Sequence, residues 1–132
     1  VRITADTNLL VRVLVGDDLD QAEAAQAELS AAELVALPLA ALCELVWVLE
    51  RGYGIEGSDV SKALRGLLNG ANIETNRPAA EAGLAMLEAG GDFADGVIAF
   101  EGYWLGAETF VSFDRKAVRL IAAQGRSARL PA

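Results

Sequence analysis

The chain predicts an α/β domain with a parallel sheet, because short apolar strands alternate with helical stretches along its whole length. Two acids sharpen that reading. Asp6 follows the strand-like Val1-Arg2-Ile3-Thr4-Ala5, and Asp114 follows the strand Phe110–Phe113. In open parallel sheets ligands bind beyond the carboxyl ends of the strands, so both carboxylates fall on the edge where sites form.

Each element has a local cause. Leu9 to Val15 reads as a short helix stopped by Gly16. Asp17, Asp18 and Asp20 open an Ala-rich helix to about Ala32, and their reading is capping, because acids favour the positive end of a helix dipole. No glycine or terminal glutamate falls where a calcium loop of the EF-hand type requires one. Leu34 to Leu37 is a second strand. Pro38 can occupy the first turn of the next helix, which runs to about Arg51 and ends at Gly52. Ser58 can cap a helix from Asp59 to Leu68, and Ile73 lies in a third strand. Asn76 and Pro78 open a helix to Glu88, closed by Gly90-Gly91. Asp92 to Leu105 is a further helix ending at Gly106, and Arg115 to Gln124 is the last one. No repeat or linker interrupts the series, so residues 1–132 are expected to form a single domain.

Composition narrows the chemistry. The 132 residues are 53% hydrophobic, enough for a folded core. The apolar run Val35–Leu49 contains Pro38 and Glu44, too short and too polar for a membrane span. No leader pattern precedes the first strand, and a cytoplasmic location is expected. Cys43 is the only cysteine, which rules out an internal disulfide and reads as a small core residue. The chain has no histidine. That removes the usual general base, imidazole zinc ligands, and any Ser-His-Asp or Cys-His arrangement. A hydrolase built from this chain works with carboxylates, hence with hard cations.

A net charge of −8 argues against a nucleic-acid partner until its distribution is considered. Residues 1–111 hold 18 acids and 6 bases, whereas residues 112–132 hold one acid and five bases. A basic end on an acidic body can guide a phosphate backbone; a solvated helix face explains it equally well.

Four carboxylates need an explanation. Glu44 stands in Leu39-Ala40-Ala41-Leu42-Cys43-Glu44-Leu45-Val46-Trp47, a helix apolar on nearly every face and therefore expected to be buried all round. A buried charge there needs either an arginine or a metal ion. Asp92 and Asp95 are three residues apart, on one helical face; Asp92 is also a natural N-cap, while Asp95 is set among apolar neighbours. With Asp6 and Asp114 they form a set that cannot share a buried site without a cation or protons.

The segments Ala5-Asp6-Thr7-Asn8, Cys43-Glu44-Leu45-Val46-Trp47-Val48-Leu49-Glu50, Asp92-Phe93-Ala94-Asp95 and Ser112-Phe113-Asp114-Arg115 resemble the motifs of PIN domains, in particular the VapC-type toxins of bacterial toxin–antitoxin pairs. The resemblance covers essentially the whole chain. It implies a central parallel sheet flanked by helices, and a ribonuclease that uses Mg²⁺ or Mn²⁺ and leaves a 5′-phosphate and a 3′-hydroxyl. It implies Asp6, Glu44, Asp95 and Asp114 as catalytic, metal-binding acids, with Asp92 as an accessory. Thr7, Asn8 and Ser112 would orient those carboxylates, an antitoxin protein would inhibit the enzyme, and the chain would form homodimers. Arg115 or Lys116 could hold the RNA phosphate, or simply face solvent.

Two departures stand out. Gly96 replaces the usual alanine and should weaken its helix by about 1 kcal/mol, and Trp104-Leu105-Gly106-Ala107-Glu108 places a bulky aromatic and an acid before the strand. Two rival readings remain. A catalytically degenerate PIN domain would act as a binding module. A phospho-acceptor signalling domain lacks support, because Asp6 is not part of an adjacent acidic pair, the last strand carries no lysine, and Glu44 would be unexplained.

Overall fold

The computed structural model describes residues Val1–Ala132, which divide into two compact units, Val1–Arg77 and Pro78–Ala132. In the first unit β1 (Arg2–Thr4) leads into α1 (Thr7–Val15) and α2 (Leu19–Ala31). Next come β2 (Leu34–Ala36), α3 (Leu39–Trp47), α4 (Gly57–Leu68) and β3 (Ile73–Glu74). The three strands form a parallel sheet in the order β1-β2-β3, with Ile3 opposite Val35 and Val35 opposite Ile73. Parallel neighbours require crossover connections, and α1–α2 and α3–α4 supply them. Their inward faces bury Leu10, Leu42, Leu45, Leu64 and Leu68.

The second unit holds α6 (Phe93–Trp104), β4 (Phe110–Val111), α7 (Arg115–Ala123) and β5 (Ala128–Arg129), after α5 (Arg77–Glu88), which starts at its border. β4 and β5 pair in parallel, with α7 as their crossover. Phe93, Leu84, Met86 and Ile121 are its largest buried side chains. No helix in the chain is long and apolar enough to cross a membrane. The expected α/β architecture with parallel strands flanked by helices is present.

Several local expectations change. The helix expected to run from Pro38 to Arg51 is α-helical only to Trp47; Val48–Gly52 continues as a π-helical turn, and Pro38 is the cap rather than a member of the first turn. Ser58 caps nothing, because α4 starts at Gly57 and Ser58 lies inside it. The strand expected over Phe110–Phe113 is two residues long, although the Ser112 N–H still donates to the Arg129 carbonyl at 3.3 Å. β5 has no counterpart in the sequence reading. Cys43 is half-buried rather than a core residue.

Gly96 has a packing reason that outweighs helix propensity. A Cβ at this position would collide with the Ala82 carbonyl oxygen and lie 2.8 Å from Met86 Cγ. Close approach of α6 to α5 therefore excludes even alanine, whose better propensity is worth only about 1 kcal/mol.

Candidate active site

Asp6 is placed by the end of β1. Buried Ala5 donates its N–H to the Ala36 carbonyl at 3.1 Å, the last rung of that ladder, and the chain then turns into α1. The Asp6 backbone is extended, and its Oδ1 accepts from the Leu9 N–H at 3.0 Å, the N-cap of α1. Thr7 and Asn8 open the helix, but neither donates a hydrogen bond to Asp6, and Asn8 is exposed. The expectation that they orient this carboxylate finds no direct contact.

Glu44 corrects the sequence reading most sharply. The helix is not buried all round: Leu42, Leu45, Val46 and Leu49 face the core, while Ala40, Glu44 and Trp47 form an exposed stripe. The outward face misleads because it carries alanine and tryptophan instead of charge. Glu44 takes part in no ion pair, so neither burial nor an arginine accounts for it.

In the second unit Asp92 caps α6, its Oδ1 accepting from the Ala94 N–H at 3.0 Å. Asp95 lies in the first turn of the same helix, half-buried and without a cationic partner. Asp114 caps α7, accepting from the Ala117 N–H at 3.0 Å, and its own N–H donates to Ser112 Oγ at 3.0 Å. Ser112 thus fixes the backbone that carries Asp114. The three acids sense one another at Asp95: burial first, then the charge of Asp92, then that of Asp114, hold its carboxyl above the ordinary value of 3.8.

Arg115 and Lys116 occupy the first turn of α7, exposed and outside any ion pair. Cations at a helix N-terminus oppose the dipole at about 0.3–1 kcal/mol each. Their placement next to Asp114 is thus a small local cost that an external anion would offset.

The donors suit a hard divalent cation in kind. All are oxygens, and Asp6, Asp92 and Asp114 each commit one oxygen to a helix cap and keep the other free of protein partners. Asp95, half-buried and near the charges of Asp92 and Asp114, accepts no hydrogen bond from a cationic side chain. No group of three or more acidic or cysteine side chains is closed around a single point as a ready-made metal set. What sequence reasoning missed was the capping role of Asp6 and Asp114. An acid between a strand and a helix was a visible signal for it.

Among protein-family models the PIN domain matches residues 3–122. The chain belongs to the PIN-domain family, whose members are typically metal-dependent nucleases. No curated protein matches it.

Proposed function

We propose that this chain is a Mg²⁺- or Mn²⁺-dependent endoribonuclease, acting as the toxin of a toxin–antitoxin pair in the cytoplasm. The observation that carries this reading is the placement of Asp92, Asp95 and Asp114 at the starts of two helices of one unit, none paired with a cationic side chain, in a family of nuclease domains. Asp6, Glu44, Asp95 and Asp114 would hold the ion, with Asp92 in support. When bound, a divalent ion supplies Lewis acidity toward a phosphodiester.

The chain's own residues supply the remaining roles. Ser112 and the α7 cap hold Asp114 in a fixed direction. Arg115 and Lys116 offer unpaired donors to the RNA phosphate beside it. Hydrolysis leaving a 5′-phosphate and a 3′-hydroxyl agrees with the lack of histidine, since cyclising ribonucleases depend on an acid–base pair. An antitoxin protein and a second copy of the chain are the proposed partners, and residues 1–132 are proposed to work as one domain.

The test is incubation of the purified chain with total RNA, with and without Mn²⁺, beside Asp6→Asn. Cleavage that needs Mn²⁺ and is lost in the variant supports the reading. RNA left intact by parent and variant alike would overturn the nuclease reading and leave the rival binding module.

A further inference from the structure

The second unit contains a cavity of about 200 Å³ that none of the roles above uses. Its walls include Ile98 and Ala99 of α6, Phe110 and Val111 of β4, and Ile121 of α7. Ile98, Ala99 and Gly102 stand at the third, fourth and seventh positions after Asp95, so the cavity continues the α6 face that carries this acid. Gly102 is about 10 Å along the helix from Asp95.

The rim is unusual in its chemistry. Arg126 is delivered by the turn that ends α7, where Gly125 adopts φ +87° and the Arg126 N–H donates to the Ile121 carbonyl. Its guanidinium lies 5.0 Å from the Tyr103 ring centroid and 5.6 Å from that of Phe100. It rests on aromatic faces and makes no side-chain hydrogen bond or ion pair. Glu108 lines the same cavity and is also unpaired. A free donor fork and a free carboxylate therefore flank one apolar slot without neutralising each other. Tyr103, on this rim, is 62% exposed, and its chain neighbour Trp104 is 75% exposed.

Apolar walls, a planar cation on aromatic rings, and separate donor and acceptor groups fit one ligand class: an unstacked nucleobase. Proteins bind single-stranded RNA by stacking bases on aromatic rings and arginine planes while polar groups meet the base edges. The volume suits a single ring system better than a drug-sized ligand. A strand is favoured over a free nucleotide because Arg126 and Arg129, exposed and in no ion pair, add positive charge beside the cavity for a backbone to follow. We infer that this cavity is a base-binding subsite for single-stranded RNA, occupied by a nucleotide a short distance along the strand from the one at Asp95. This rests on the RNA-directed reading above.

The experiment measures binding of a five-nucleotide RNA, pentaadenylate, in EDTA, followed by tryptophan fluorescence, with metal-dependent cleavage of total RNA measured separately. Arg126→Ala and Tyr103→Ala are each expected to weaken binding about fivefold or more. Tyr103→Phe, which keeps the ring, should bind like the parent. Replacing the bases by abasic sites should weaken the parent but add little to the loss in Arg126→Ala. Cleavage intact in the parent with equal pentaadenylate binding by every variant would overturn the subsite and leave the nuclease reading standing. Absence of both binding and cleavage in the parent would overturn the two together. AMP bound as tightly as the strand would make the cavity a free-nucleotide site and overturn the strand assignment. A dimer lost in Tyr103→Ala with RNA binding unchanged would reassign the face to contact between copies and overturn it as well.

Discussion

The two units place their acids under different physical conditions. In the first, Asp6 and Glu44 are both exposed; one caps α1, and the other stands on an open helix face beside Trp47. In the second, Asp95 is half-buried under the influence of Asp92 and Asp114. A carboxylate in water costs the fold little, whereas one that loses water near like charges strains it. The second unit therefore carries the electrostatic tension that a cation would relieve.

The largest expected effect treats the units alike. Asp6→Asn, Glu44→Gln, Asp95→Asn and Asp114→Asn should each lower RNA cleavage by about a hundredfold or more, on the scale of losing a key electrostatic group, while circular dichroism stays that of the parent. Full activity in Glu44→Gln would remove the first unit's helix acid from the reaction. Asp92→Asn should cost less, since Asp92 is proposed to support the other four acids and not to hold the ion itself; an equal loss would give it the rank of the other four.

A packing effect follows, confined to the second unit. Gly96→Ala should destabilise by about 1–3 kcal/mol, the usual cost of overpacking, despite alanine's better helix propensity. Chemical denaturation measures it, and a more stable variant would show that α5 and α6 can move apart without penalty.

A smaller effect concerns the bases beside Asp114. Charge reversal at Arg115 together with Lys116 should weaken RNA binding and flatten its dependence on salt, because counterion release scales with the phosphates neutralised. An unchanged slope would assign both residues to the solvated face.

Much of the fold was legible because helix ends carry local chemistry. Gly16 stops α1 in the left-handed region, and Asp18 and Asp92 cap where acids should. The rest depended on what the chain packs against. Gly96 looked like a propensity fault until the Ala82 carbonyl appeared beneath it. Glu44 looked buried because apolar neighbours on an exposed face cannot be told from core residues by pattern alone. β5, two residues long, lies below the length at which alternation registers, and the slot at Arg126 joins residues from three separate elements. At the candidate site the sequence pointed to Asp6 and Asp114 by their place after strands, but not to their capping of α1 and α7.

That tension is open to direct measurement. Because the folded state holds the Asp95 carboxyl above 3.8, native protein binds its proton more readily than unfolded chain does. The stability tied to this group is complete at pH below that ordinary value and is lost as pH rises through the raised one. Asparagine cannot ionise, so in EDTA at pH 7 Asp95→Asn should melt above the parent. About 1–3 °C is expected, a modest figure because Asp95 keeps partial contact with water. The gap should vanish at acid pH, where the parent's carboxyl is protonated, and Mn²⁺ at pH 7 should close it by raising the parent alone, since a ligand of the native state stabilises that state. A variant that melts below the parent in EDTA, with Mn²⁺ affecting neither protein, would contradict an unpaired acidic cluster waiting for a cation.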